Sequence, residues 1–189
     1  MAFGTGHHPS TRACLEVLER SVAGGESVLD LGSGTGILAI VALRLGAASA
    51  VCLDVDPDAV RATTRNLRLS GLAPVARACQ GTVPHPEAAP GSFDLVLANI
   101  SARVLIEQAF DIVRCLAPEG RLLGSGYTLD RAEDVRRAFE AAGARIRETM
   151  VIGDWVTVVG GRGRRQRPGA RPNMHGSARL RRSRPRRTR

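Results

Sequence analysis

A chain of 189 residues with 43% hydrophobic content is long enough for one domain with its own core, and it has no run near the roughly 18 apolar residues of a membrane span. Its formal charge of +9 is unevenly placed: all 27 basic residues are arginine, and 12 of them fall in 162–189 without one acid, leaving 15 against 18 acids elsewhere. The body is therefore mildly acidic, and the excess positive charge belongs to a tail.

The N-terminal string MAFGTGHHPS has neither a basic start nor an apolar run, so no secretory signal is expected. Residues 10–22 (STRACLEVLERSV) predict a helix, capped by Ser10 or Thr11, that turns Ala13, Leu15, Val17 and Leu18 toward a core. A strand follows at 27–31. The next helix, about 36–46, is apolar almost all round and should be buried against a sheet, with Gly46 as its stop. A second strand covers 50–55, and Asp56-Pro57 then supplies an N-cap and a first-turn proline for a helix reaching Gly71.

A third strand is expected near 74–79, a Pro-, Ala- and Gly-rich loop at 81–92, and a fourth strand, FDLVLAN, at 93–99. A helix at 102–117, a strand at 120–126 and a helix at 130–142 continue the alternation. The last two β-rich runs, RIRETMVI and WVTVV, are joined by Gly153-Asp154, a hairpin signal. The fold class is α/β: a doubly wound, mostly parallel seven-stranded sheet closing in an antiparallel hairpin, unlike a dinucleotide-binding domain. Cys14, Cys52, Cys79 and Cys115 lack Cys-x-x-Cys spacing and sit in apolar contexts, so buried thiols in a reducing cytosol are expected and a metal site is not. The organisation expected is a catalytic domain at 1–161 and a tail at 162–189 that is disordered by composition. The tail either has no role or attracts RNA phosphates without base stacking, since it contains no aromatic residue.

The chemistry concentrates where the first strand runs into its loop, VLDLGSGTG at 28–36. Gly32, Gly34 and Gly36 allow backbone to approach a ligand closely, and Asp54 ends the second strand 22 residues after Gly32. Such a unit binds a nucleoside. The third glycine of a dinucleotide fingerprint would fall at position 37, which is Ile37. Asp30, two residues before the turn, would repel a pyrophosphate docking at the helix N-terminus. The same carboxylate suits a ligand carrying an ammonium and a sulfonium. S-adenosylmethionine is such a ligand, and its ribose diol suits Asp54. Asp56 reads as a helix cap.

The strings AFGTGHHPST (2–11), DLGSGTGILAIVALRLGA (30–47), DVDPDAV (54–60), LANISARVL (97–105) and the GDWVTVV hairpin occur in the order and spacing of one family. Together they resemble the PrmA-type ribosomal protein methyltransferases, which methylate lysine side chains and the terminal amine of the large-subunit stalk protein L-eleven. The resemblance covers about residues 2–160 and implies a class I S-adenosylmethionine-dependent methyltransferase fold and a cytoplasmic N-methyltransferase. It implies that Thr11 touches the cofactor, that Gly32 opens the loop and that Asp54 accepts the ribose hydroxyls. It also implies that Asn99 of the Ala-Asn-Ile run lies beside cofactor and acceptor amine. By its position alone, Asn99 reads equally as a polar strand end on a ligand crevice or as a turn residue before a helix.

His8 matches the family's histidine and suits a helix-start hydrogen bond as well as catalysis. His7 and Ser10 stand where the family often has threonine, and Ser33 where it commonly has cysteine. Family members carry a separate N-terminal domain that grips the ribosomal protein. This chain starts directly before AFGTG, so a catalytic domain without that grip is expected. Other readings stay open: the same chemistry on another protein or a small amine, an inactive fragment, or an RNA-associated protein acting through its tail. An adenine methyltransferase is disfavoured, because Asn99 is followed by Ile-Ser and not by the Pro-Pro-aromatic run that stacks a flipped base.

Overall fold

Backbone periodicity and punctuation place each element close to where the sequence puts it. The computed structural model describes residues 8–162, so the expectations for the glycine string before His8 and for nearly all of the tail lie outside the described residues. In chain order the elements are α1 (Pro9–Ser21), β1 (Ser27–Leu31), α2 (Ile37–Arg44), β2 (Ser49–Asp54), α3 (Pro57–Leu69), β3 (Ala76–Gln80) and β4 (Phe93–Asn99). There follow α4 (Ala102–Glu107), α5 (Ala109–Cys115), β5 (Leu116–Thr128), α6 (Ala132–Ala141), β6 (Ala144–Ile152) and β7 (Trp155–Arg162).

Among the described residues seven strands form one sheet in the order β3-β2-β1-β4-β5-β7-β6. The first four pairings are parallel, while β5–β7 and β6–β7 are antiparallel. Gly153, with φ of 60°, makes the tight link the hairpin needs.

Strand residues alternate between the two faces, as a pleated strand requires. In β4, Leu95 and Leu97 join the cluster containing Cys14, Val17 and Leu18 of α1 and Leu38 and Ala42 of α2. Val96 and Ala98 join the opposite cluster with Leu105, Ile112, Val135 and Phe139 from α4, α5 and α6. Helix α2 is buried along Leu38, Ala39, Ala42 and Leu43, and its other apolar residues pack at the edge of the same cluster. Gly46 (φ 115°) closes it, with the Ala47 amide donating to the Ala42 carbonyl at 3.1 Å.

Three local expectations are corrected. Helix α1 is capped by His8, not by Ser10 or Thr11: Pro9 occupies the first turn, and the His8 Nδ1 accepts from the Ser10 amide at 3.3 Å. The helix expected over 102–117 breaks at Gln108 (φ −104°, ψ 7°), whose Oε1 accepts from the Thr82 hydroxyl at 2.7 Å. That break lets β5 begin early, at Leu116, opposite Phe93. The helix expected over 130–142 opens as a 3-10 turn, Leu129–Arg131, before α6.

The four cysteines are free; three are buried and Cys79 is half-buried. Burial pushes the Cys14 thiol up to about 12 and the Cys115 thiol up to about 11, so neither supplies a thiolate nucleophile at neutral pH. No helix among the described residues is long and apolar enough to cross a membrane.

Candidate active site

Strand β1 lies between β2 and β4, so the chain leaves β1 to one side and later returns to the other. In open sheets of this kind the ligand crevice lies where that connection reverses, beyond the carboxyl ends of the strands. The glycine loop sits there. Gly32, Gly34 and Gly36 have φ of 68°, 56° and 77°, a conformation that L side chains resist. The Gly32 and Ser33 amides donate to the Leu53 carbonyl at 2.8 and 3.2 Å, which fastens the loop to β2.

Helix α3 holds the loop from its inner side. The Thr63 hydroxyl donates to the Gly34 carbonyl at 3.0 Å, and the Asn66 amide to the Thr35 carbonyl at 2.8 Å. Protein packing adds a second demand for glycine. A Cβ on Gly32 would stand 2.2 Å from Ile100 Cγ2, and one on Gly36 would stand 2.8 Å from Thr63 Cγ2.

Asp54, half-buried at the end of β2, accepts the Gly34 amide on Oδ2 at 2.9 Å and the Asp56 amide on Oδ1 at 3.0 Å. Asp56 is the cap of α3, its carboxylate accepting the Asp58 amide at 2.8 Å. Asp30 is only 1% exposed, and its Oδ2 accepts the Ala39 amide at 3.2 Å. It therefore closes the first turn of α2, whose own cap, Gly36, has no side chain to do so. Burial pushes the Asp30 carboxyl up to about 7; the Ala39 amide opposes this and the Asp54 charge adds to it. Enclosed in this way, Asp30 offers a ligand no direct contact, a distinction the sequence does not make.

On the other side of the loop, Asn99 ends β4. Its Nδ2 donates to the Thr11 Oγ1 at 3.3 Å, and Thr11 is 3% exposed near the start of α1. Its Oδ1 is buried and accepts no hydrogen bond from the described residues. A buried amide oxygen without a donor is costly, so the end of β4 carries an unmet acceptor. Gly126 at the end of β5 (φ 93°) is a residue that sequence reasoning missed. A Cβ there would meet the Ile100 carbonyl oxygen at 2.6 Å and Asn99 Oδ1 at 3.0 Å. The Gly-Ser-Gly run at 124–126 was its only signal.

The structure thus gathers Thr11, Asp30, Gly32, Gly34, Asp54 and Asn99 around one crevice, with Ile100 linking the Asn99 and Gly32 sides. His8 sits at the α1 start, where its Nδ1 lies 2.8 Å from the Ser10 hydroxyl and its ring stands edge-on to Trp155, centroids 4.3 Å apart. The strand ends and loop (30–36, 53–56 and 97–101) carry Asp30, Asp54 and Asp56 and no basic residue. This acceptor-rich set fits a cationic nucleoside and not a pyrophosphate. Among the described residues, no group of three or more His, Cys, Asp or Glu side chains is placed to hold a metal ion. Two hollows lie elsewhere: about 350 Å³ beside His85 and Cys115, and about 420 Å³ on α3. Neither includes a crevice residue, so chemistry and not volume locates the site.

A glycine loop after β1, an acid ending β2 and a parallel sheet closed by an antiparallel pair define a class I methyltransferase domain. The sequence profile of ribosomal protein L11 methyltransferase (PrmA) matches residues 1–163. The chain belongs to that family.

The ribosomal protein L11 methyltransferase of Pelobacter propionicus is 44% identical over 164 residues, covering 84% of this chain and 52% of that protein. The one from Brevibacillus brevis is 40% identical over 159 residues, 84% of this chain and 50% of that protein. The chain spans about half the length of the curated relatives it matches. The solved ribosomal protein L11 methylase of Lactobacillus delbrueckii subsp. bulgaricus superposes with a TM-score of 0.78 at 27% identity, over 86% of this chain and 82% of that one. A geranyl diphosphate methyltransferase solved in complex with SAM shares the fold, with a TM-score of 0.67 at 14% identity over 79% of this chain and 84% of that one.

Proposed function

We propose that this domain binds S-adenosylmethionine and directs its methyl group onto an amine, a lysine side chain or an N-terminus, of ribosomal protein L11. The observation that carries the reading is the buried, donor-less Asn99 Oδ1 beside an acid-lined glycine loop, in a chain of this family. The cofactor supplies a methyl group already activated on a sulfonium.

The chain's own residues bind and align. Asp54 keeps a free lone pair on each oxygen for the ribose hydroxyls, because each oxygen accepts only one backbone amide. Gly32 and Gly34 bring backbone close to the nucleoside. Asp30 stabilises positive charge above the loop, and Thr11 orients Asn99 through the shared hydrogen bond. Asn99 Oδ1 accepts an N–H of the incoming amine and leaves the nitrogen lone pair to face the methyl group.

A lysine amine has an ordinary pKa near 10.4, so the site must favour its neutral form. A partly dry crevice beside a cationic ligand does so. His8 positions α1 in this reading, its Nδ1 turned to Ser10. An acceptor in the large ribosomal subunit implies work in the cytoplasm.

Isothermal titration tests the cofactor assignment: Asp54→Ala is expected to weaken S-adenosylmethionine by tenfold or more. Unchanged affinity would overturn the ribose role. Transfer of labelled methyl groups into a mixture of purified ribosomal proteins tests the acceptor. Label is expected in L11, and label confined to other proteins would refute that acceptor.

A further inference from the structure

Residues 59–86 hold four arginines (Arg61, Arg65, Arg68, Arg77) and no acid, inside a body that is net negative outside its tail. Helix α3 buries Ala59, Thr63 and Leu67 against the sheet, which leaves Arg61, Arg65 and Arg68 exposed. Positions i, i+4 and i+7 share one face and span about 10 Å of helix axis. With Val60, Thr64 and Leu69 they line the hollow of about 420 Å³.

The flanking acids neutralise only the ends of this stretch: Arg61 pairs with Asp58 and Arg77 with Glu87. Arg65 and Arg68 make no ion pair with any described residue. Exposed arginines on α6, α1 and α4 are paired, whereas Arg44 of α2 and Arg114 of α5, like Arg65 and Arg68, make no ion pair with any described residue. On α6, Arg136 meets Glu133 at 2.8 Å and Glu140 at 2.7 Å, and Arg137 meets Glu133 at 2.8 Å. On α1, Arg12 pairs with Glu16 and Arg20 with Glu148; on α4, Arg103 pairs with Glu107.

We propose that this outer face of α3 docks the phosphate backbone of RNA. Guanidinium forks match phosphate oxygens, and a row of them along a helix suits a polyanion better than a single small anion. Helix α3 contains no aromatic side chain, so the contact reads backbone and not bases. Val60 and Leu69 alone fall short of the apolar centre a stable protein interface needs. The inner side of the same helix holds the glycine loop through Thr63 and Asn66, so RNA on the outer side lies one helix away from the cofactor crevice. The proposal stands on the charge of α3 and does not depend on methyl transfer.

The test is fluorescence anisotropy of a labelled single-stranded RNA with the full chain, so that the tail contributes equally in every arm. Wild type, Arg65→Gln/Arg68→Gln and a charge-matched control, Arg136→Gln/Arg137→Gln, are titrated between about 50 and 200 mM salt. The α3 pair is expected to bind about tenfold more weakly at low salt. Its slope of log affinity against log salt should be shallower by about 1.4, from about 0.7 for each of two lost phosphates. The α6 control should match wild type, and cofactor affinity should be equal in all three.

Equal losses in both double variants would reduce the effect to net charge and overturn the proposal. So would wild-type RNA affinity in the α3 pair with loss of polyglutamate binding, which would mark an acidic protein partner. Joint loss of RNA and cofactor binding would show damage to α3 and also count against it.

Discussion

Single residues at the crevice are held by demands of two kinds, and each can be measured apart. Gly32 answers both a positive φ and the methyl of Ile100. Gly32→Ala is expected to cost about 1–3 kcal/mol in chemical denaturation. Adding Ile100→Ala removes the contact but not the backbone strain, so the two losses should sum to more than the double variant shows. Strict additivity would mean that Ile100 does not constrain the loop.

Asp30 makes a pH prediction with a definite sign. Its folded value of about 7 lies above the ordinary 3.8, so the native state keeps a proton that the unfolded chain has released. Stability from this group is greatest below about pH 4 and falls as pH rises to about 7. Urea midpoints at about pH 5 and pH 8 should therefore differ less in Asp30→Asn than in wild type. A cation binding above the loop favours the ionised carboxyl, so cofactor binding near pH 7 should release a proton. Titration calorimetry in buffers of different ionisation enthalpy would detect it, and a heat independent of buffer would contradict the placement of Asp30.

Elements depend on how few side chains anchor them. Helix α6 buries only Val135 and Phe139 on its apolar side, and Phe139 lies against Gly124, where a Cβ would come within 3.1 Å of its ring. Phe139→Ala is expected to cost about 3–5 kcal/mol in thermal or urea unfolding, because the tight strand beneath cannot rise to fill the space. A loss under about 1 kcal/mol would mean that α6 settles onto the sheet. The start of α1 shows the limit of reading caps from a string. Ser10 and Thr11 are good cap residues by chemistry, yet Pro9 sets the first turn and hands the cap to His8. Thr11 is thereby free to meet Asn99. Similarly, the pattern over 102–117 is continuous in apolar period, and only the Thr82 hydroxyl, reaching from a distant loop, marks Gln108 as the break.

At the scale of the molecule, one sheet is shared by two apolar clusters, one on each face. Neither face can lose its packing without stripping the strands that serve the other, so the domain should unfold in one step. The fluorescence of Trp155, the only tryptophan, and far-UV circular dichroism should give coincident urea transitions. Separated midpoints would mean that the hairpin end unfolds independently. Seven strands, their alternation with helices and the closing hairpin were all readable in the chain. Period, proline, glycine and caps act within a turn or a strand, and those signals are local. The glycine loop and Asp54 were readable for the same reason, since strand, turn and strand follow one another directly. What the tertiary structure alone decided are meetings across the chain: Asn99 with Thr11, 88 residues apart, and Ile100 over Gly32. The enclosure of Asp30 belongs with them. Each depends on which strands lie side by side and which way each helix turns, and no run of neighbouring residues encodes either.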